Sequence, residues 1–118
     1  MAANIDKISN AKMVMPTLYC GTRKADTYFE SRCTINVADY KKVEINGIAT
    51  SYKTYTSSFT VAGVKICTHG NTDNSNTPFT TTINTVIDIS DKSTIDIVIC
   101  GDDGWAGQYV SLSGISFY

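Results

Sequence analysis

Hydrophobic and polar residues alternate along most of this chain. The stretch 33–37 alternates apolar with polar side chains, and the stretch 95–99 is the most regular, with isoleucine at every second position. Successive side chains of a strand point to opposite faces, so this period is typical of strands with one buried face. Such stretches recur at spacings of roughly 8 to 12 residues, the pattern of an antiparallel β-sandwich. The sequence therefore predicts an all-β fold with about eight short strands.

Three dipeptides that contain glycine interrupt this alternation. Asn46-Gly47 predicts a two-residue hairpin, because both residues accept the positive φ of a type I′ turn. At Ala62-Gly63 and again at Ser113-Gly114, the apolar residues switch from odd to even positions or the reverse. Such a switch requires an extra residue in the strand, so we expect a bulge or a turn at each place.

The chain is long enough for one domain. We assign residues 19–118 to the sandwich and treat residues 1–18 as an N-terminal segment. This segment is interpreted in two ways: it forms the first strand of the sandwich, or it is an arm that packs against a neighbouring subunit. Its apolar residues are Ile5, Ile8, Met13, Val14, Met15 and Leu18.

Composition and charge narrow the function classes. The 118 residues are 42% hydrophobic and 18% charged, with a net charge of -1 and no large basic cluster. This composition argues against a disordered chain and against a nucleic-acid-binding protein, which needs clustered Lys and Arg. The sequence has no apolar run of the length that a membrane span needs, so no membrane insertion is expected. The start, MAANIDKISN, lacks the apolar core of a secretory signal, so we expect synthesis in the cytoplasm of a host cell without export.

The cysteines are widely spaced. Cys20, Cys33, Cys67 and Cys100 form no C-x-x-C pair, which argues against a zinc or redox motif. Reduced thiols are expected in a chain without an export signal. A Cys67–Cys100 disulfide requires that their strands be neighbours.

The order of several segments resembles the small jelly-roll sandwiches of phage tail fibres, head fibres and receptor-binding proteins. The segments are VADYKKVEI, TVAGVKIC, TVIDISDKSTIDIVICGDDG and YVSLSGISFY, and the opening MAANIDKIS resembles the start of short phage fibre proteins. Many of those domains are similar to carbohydrate-binding modules. The resemblance covers about residues 28 to 118 and implies a jelly-roll-like sandwich in a virion. It also implies a homo-oligomer, commonly a trimer.

The residues favour binding over catalysis. His69 is the single histidine and stands beside Gly70 in a polar stretch, without a G-x-S-x-G motif. The aspartates lie mostly at turn positions, where the side chain caps backbone amides. We therefore expect that the protein is not an enzyme and that it needs no cofactor.

A structural calcium ion is the one metal that the sequence suggests, and only weakly. NTDNSN, residues 71–76, spaces oxygen ligands as a calcium loop does but lacks its glycine and glutamate. Modules resembling this chain often hold calcium near a strand end, where Asp102-Asp103 stands here. The alternative is that both are simple polar turns.

The loop that follows the isoleucine-rich strand is the strongest candidate for a ligand site. Sugars are bound by flat aromatic rings framed by hydrogen-bonding side chains. The loop offers Trp105 with Asp102, Asp103 and Gln108, and Tyr52 and Tyr55 form a second candidate platform. The alternative is that Trp105 folds back to cover one end of the sandwich.

The sequence thus predicts a virion-associated fibre or receptor-binding protein that attaches, without catalysis, to a cell-surface glycan. The alternative is a purely structural decoration or assembly subunit whose partners are other virion proteins.

Overall fold

A computed structural model describes residues 12–69 and 77–118. Every regular element within these residues is a β-strand. No helix of this part of the chain is long and apolar enough to cross a membrane. The ten strands are β1 Met13–Val14, β2 Leu18–Gly21, β3 Phe29–Asn36, β4 Lys42–Tyr52, β5 Thr56–Val61, β6 Val64–His69, β7 Phe79–Asp88, β8 Thr94–Asp102, β9 Tyr109–Leu112 and β10 Ile115–Phe117.

The strands form two antiparallel sheets. The first sheet has the order β1-β10-β4-β9-β2, with β7 on the other edge of β4, and the second has the order β3-β8-β5-β6. Both β9 and β10 pair with the same edge of β4, one beyond the other. In the same way β1 pairs with β10 and β2 with β9. β1 and β2 therefore act together as one interrupted strand, and so do β10 and β9. Counted in this way, the described fold is equivalent to eight strands, four in each sheet.

The pairing is that of a jelly roll. β1 and β2 pair with β10 and β9, β3 with β8, β4 with β7, and β5 with β6. This is one long antiparallel ribbon, folded back on itself at the turn between β5 and β6 and rolled into a sandwich. The predicted all-β, antiparallel, jelly-roll-like sandwich is confirmed.

The core lies between the two sheets and follows the alternation in the sequence. Ile95, Ile97 and Ile99 of β8 all point inward and are almost completely buried. Burial of such side chains stabilises each by about 1.5–3 kcal/mol relative to exposure, which is the main driving force for this fold. The other large buried members of the core include Phe29, Val43, Ile45, Phe59, Val61, Ile83, Ile89, Val110, Leu112, Ile115 and Phe117.

The prediction of a hairpin at Asn46-Gly47 is wrong. Both residues lie in the middle of β4, which runs unbroken along β7 with Asn46 opposite Asn84 and Gly47 opposite Ile83. A Cβ atom on Gly47 would collide with the backbone of Ser113. Glycine is needed here for close packing against the β9–β10 junction, and not for a turn.

The other two predicted interruptions are present. Ala62 and Gly63 form the two-residue turn between β5 and β6, and both have positive φ, 51° and 79°. Gly114, with φ of 80°, lies in the break between β9 and β10.

The N-terminal segment is described only from residue 12. Within that part, Met13–Val14 and Leu18 belong to the first sheet. This is the arrangement expected if the segment forms the first strand of the sandwich. Residues 1–11, with Ile5 and Ile8, lie outside the described residues.

All four cysteines are free thiols. Cys67 lies on β6 and Cys100 on β8, and β5 separates these two strands. The condition for a Cys67–Cys100 disulfide is therefore not met.

Candidate functional site

Three connections between the sheets meet at one end of the sandwich. They are residues 22–28 between β2 and β3, residues 53–55 between β4 and β5, and residues 103–108 between β8 and β9. The strand register brings them together, since Gly101 lies opposite both Phe29 and Ser57, and Tyr109 lies opposite both Gly21 and Tyr52. We refer to this as the loop end.

Backbone hydrogen bonds fix the loop that carries Trp105. Its backbone N–H donates to the Lys53 carbonyl at 2.8 Å, and the N–H of Asp26 donates to the Gly104 carbonyl at 3.0 Å. A Cβ atom on Gly104 would collide with the Lys53 carbonyl and the Thr54 backbone. The loop is therefore held against both neighbouring connections.

Gln108 ties the loop to residues 22–28 from the inside. Its side chain is only 1% exposed. Nε2 donates to the carbonyls of Lys24 and Thr27, at 3.0 and 3.3 Å, while Oε1 is buried and has no hydrogen-bond partner among the described residues. Gln108 was predicted to contact ligand, but the structure places its amide inside the loop packing, where it orders the backbone.

Trp105 is half-buried. It is not a member of the hydrophobic core formed by the described residues, and it makes no ring contact with another described aromatic residue. The indole is thus neither a core residue nor a fully exposed ring. The backbone of Trp105 is bonded to Lys53 at the loop end.

Three tyrosines form a row on the outer face of the first sheet, next to the loop end. The ring centroids of Tyr19 and Tyr109 are 5.2 Å apart with an angle of 30° between the planes, and those of Tyr52 and Tyr109 are 5.1 Å apart at 32°. We call Tyr19, Tyr109 and Tyr52 the tyrosine row. Such pairs stabilise each other by about 0.5–1.5 kcal/mol beyond their buried area, so the rings hold one another in place.

The two ends of the row differ. Tyr109 has a neighbouring ring on each side, and the Lys53 ammonium lies 5.4 Å from the centroid of the Tyr52 ring. Tyr19 has a ring on one side only and is 64% exposed. Burial, followed by the neighbouring Tyr19 and Tyr52, raises the pKa of Tyr109 above its ordinary value.

Gly21 makes room for this arrangement. A Cβ atom there would lie 2.9 Å from the Tyr19 Oη atom and 3.0 Å from Cβ of Tyr109. The Tyr19 side chain therefore lies back over Gly21 along its own strand. This close approach is possible because glycine has no side chain.

A cleft of about 260 Å³ opens beside the free end of the row. Its walls contain one aromatic ring, one cation and two glycines, with hydroxyl groups from a tyrosine and a threonine. The lining residues are Tyr19, Gly21, Thr22, Arg23, Gly107 and Gln108.

The other sequence-predicted residues lie at the loop end but outside the row and the cleft. Tyr55 is exposed, and its backbone N–H donates to the Asp102 carbonyl at 3.1 Å. Asp102 ends β8 opposite Thr56, on the side of the second sheet. Asp103 is exposed and has φ of 62°, so it turns the chain into the loop. Of the predicted pair of tyrosines, Tyr52 joins the row and Tyr55 does not.

Tyr19 and Tyr109 were not predicted as site residues. The signal was available in the alternation, because each stands beside an inward-facing residue of its strand, Tyr19 between Leu18 and Cys20 and Tyr109 before Val110. A tyrosine at an outward position is an exposed aromatic that the core does not explain.

The described residues provide no set of ligands for a metal ion at the sites that the sequence suggested. The part of the chain that the structure describes contains no group of three or more His, Cys, Asp or Glu that could hold a metal ion. The candidate loop at residues 71–76 lies outside the described residues.

Comparisons with known proteins give distant structural matches. No protein-family model matches the chain, and no curated protein matches it. Structures of infectious bursal disease virus, Gt and Gx strains, match with TM-scores of 0.42 and 0.42 and identities of 9% and 12%, over 91% of this chain and 32% of theirs. A mutant VP2 protein of the same virus matches with a TM-score of 0.41 and 14% identity, over 92% of this chain and 32% of that one. The chain thus spans about a third of the length of the solved chains it matches.

Proposed function

We propose that this domain binds carbohydrate, without catalysis, and serves as the glycan-attachment domain of a virion-associated fibre or receptor-binding protein. The observation that carries the proposal is the tyrosine row with its exposed end at Tyr19, directly beside a polar cleft. This arrangement combines an apolar face with convergent polar groups, which is what a sugar site requires.

Tyr19 is the contact surface of the row. Tyr109 and Tyr52 support it from behind, and the Lys53 ammonium packs on the far end. A ring that is already held in one orientation loses little conformational entropy when a pyranose stacks on it. Rigid support therefore increases the affinity that a single exposed ring provides.

Hydroxyl groups adjoin the row and provide hydrogen bonds for sugar hydroxyls. Ser111 lies opposite Tyr19, and Thr50 lies opposite both Ser111 and Thr80. All three are at outward positions of the first sheet. On the other side of Tyr19, the cleft contributes Thr22 and the Gly107 backbone.

Trp105, Asp102, Asp103 and Tyr55 surround the loop end and form the second part of the proposed surface. Backbone hydrogen bonds hold the connections that carry Trp105 and Tyr55, so the backbone there keeps its position when a sugar binds at Tyr19. Gln108 supports the site by ordering its backbone.

The virion setting of the proposal is supported by the resemblance of residues 28 to 118 to phage fibre and receptor-binding domains. In that setting the protein is a homo-oligomer, with a trimer as the expected state, whose partners are other virion proteins and the glycan. Several identical sites on one particle would raise the overall avidity above that of one domain. A purely structural subunit without a ligand is the alternative.

A glycan array with the purified protein tests the proposal, with Tyr19→Ala and Tyr28→Ala as a matched pair of exposed tyrosines, since Tyr28 lies outside the row, the cleft and the Trp105 loop. Loss of the stacked ring at Tyr19 should weaken binding by about 1–3 kcal/mol, as for other hot-spot aromatics. Tyr28→Ala should bind nearly as the unmodified protein does. Thermal unfolding of both variants controls for folding. Absence of binding by the unmodified protein on the whole array would reject the proposal in favour of the structural subunit.

A further inference from the structure

We propose that the glycan is acidic and that Arg23 binds its anionic substituent, a carboxylate or a sulfate ester, in the cleft beside Tyr19. This inference rests on the proposed carbohydrate-binding function and names the class of sugar that the site takes.

Arg23 is the single charged side chain among the residues that line the cleft. It is exposed, and it forms no salt bridge with any described residue. Arg32, on the outer face of the second sheet, is different: it lies 3.1 Å from Asp96 and 3.8 Å from Glu30. Arg23 therefore keeps its full hydrogen-bonding capacity for a ligand.

The charges at the loop end are separated between the two sheets. Residues 22–28 cross from the first sheet to the second, so Arg23 lies near the first sheet and Asp26 further toward the second. Asp102 belongs to β8 of the second sheet. No Asp or Glu is among the residues that line the cleft, so an anion there meets Arg23 without a carboxylate in the wall.

The chemistry of arginine fits this ligand. Its planar guanidinium presents parallel N–H groups that match the two oxygens of a carboxylate or of a sulfate ester. With the sugar ring stacked on Tyr19, such a contact would fix the orientation of the sugar in the cleft. The pair Tyr19 and Arg23 would then select an anionic pyranose over its neutral counterpart.

The test is an array of matched glycans in which each sialylated, uronic-acid or sulfated member is printed with its neutral counterpart. Dissociation constants for the pairs that bind are then measured by calorimetry with the unmodified protein, Arg23→Gln, Arg23→Lys and Lys24→Gln. Lys24→Gln is the charge-matched control, because Lys24 is the neighbouring cation and does not line the cleft.

We expect the anionic member to bind at least about tenfold more tightly than its neutral counterpart, a difference of roughly 1.4 kcal/mol. Arg23→Gln should abolish this preference by lowering the affinity for the anionic member toward that for the neutral member. Arg23→Lys should keep part of it, and Lys24→Gln should keep nearly all of it.

The outcomes separate the two proposals. Equal binding of both members, with loss of both in Tyr19→Ala, would overturn the acidic-sugar inference and leave carbohydrate binding in place. An equal effect of Arg23→Gln and Lys24→Gln would mean that the anionic sugar responds only to the overall positive charge nearby. This result would also overturn the role of Arg23. No binding to any member would overturn both proposals. Preference for only the carboxylated or only the sulfated members would identify which anion the cleft takes.

Discussion

Gln108 holds two connections of the loop end together from the inside, and it also lines the cleft. Its amide is buried and bonded through Nε2 to the carbonyls of Lys24 and Thr27. Its own backbone carbonyl accepts a hydrogen bond of 3.0 Å from the N–H of Thr22, which lines the cleft. One residue thus connects the Trp105 loop to the connection that carries Arg23.

We expect Gln108→Leu to lower the free energy of unfolding by about 2 kcal/mol, because the substitution leaves the part-buried carbonyls of Lys24 and Thr27 without their donor. Chemical denaturation followed by circular dichroism measures the loss. Asn84→Leu replaces an exposed amide on β7 and is the control, for which we expect a change within about 0.5 kcal/mol. An equal effect of the two substitutions would contradict the proposed stabilisation of the two connections by the Gln108 hydrogen bonds.

The candidate site could be predicted from the sequence only in part, for a reason visible at single residues. Trp105 and its polar neighbours are adjacent in sequence, so their loop was recognised, and the structure places them together at the loop end. The tyrosine row is built from three strands that are distant in sequence, and only register brings Tyr19 and Tyr52 to either side of Tyr109. Composition and local motifs contain no information on register between distant strands.

At the scale of single elements, β4 organises the first sheet. It pairs with β7 along one edge and with both β10 and β9 along the other. Where β9 gives way to β10, the backbone at Ser113 and Gly114 packs directly on Gly47. This junction allows one long strand to hold two short ones.

We expect Gly47→Ala to cost at least about 3 kcal/mol of unfolding free energy, because its Cβ meets backbone atoms that cannot rotate away. Gly63→Ala is the matched control. Its Cβ meets nothing within 4 Å, and the change introduces only the strain of a positive φ, about 1–2 kcal/mol. Denaturation of both variants in urea gives the comparison. If Gly47→Ala were no more destabilising than Gly63→Ala, the junction could not be as tight as described.

Gly47 also explains why one sequence prediction failed at this scale. Asn-Gly is a local turn signal, yet the residues on both sides of it continue a single alternation that pairs with β7 throughout. The tertiary requirement for a small residue at the junction outweighed the local preference. The predictions at 62–63 and 113–114 were correct because there the alternation itself changes.

At the scale of the whole molecule, the alternation predicted a two-sheet sandwich, but the pairing of strands depends on contacts across the full chain. Met13 lies opposite Phe117, and Leu18 lies opposite Leu112. The same rolling brings the connections after β2, β4 and β8 to one end. The loop end is therefore a consequence of the topology, and it combines residues 22–28, 53–55 and 103–108, which are far apart in sequence.

No disulfide cross-links the two sheets, so the packing of the core has to stabilise the sandwich. All four cysteines are free, and Cys67 faces inward opposite Phe59 while Cys100 stands at an outward position opposite Ser58. These two side chains lie on opposite faces of the second sheet, which a disulfide cannot bridge without movement of the backbone. Burial is the main cause that raises the pKa of both Cys20 and Cys67, which keeps these thiols protonated and slow to oxidise.

We therefore expect the melting temperature of the protein to be the same with and without dithiothreitol. A thiol-specific dye should react with four groups in guanidinium, and Cys20 and Cys67 should react more slowly in the native state, because only the thiolate attacks the reagent and burial disfavours it. Cys67→Ser and Cys100→Ser serve as paired variants, since loss of either thiol should remove one reactive group and leave the insensitivity to reductant intact. A fall in melting temperature on reduction, or fewer than four reactive groups in the unfolded chain, would mean that a covalent bond and not the core closes the sandwich.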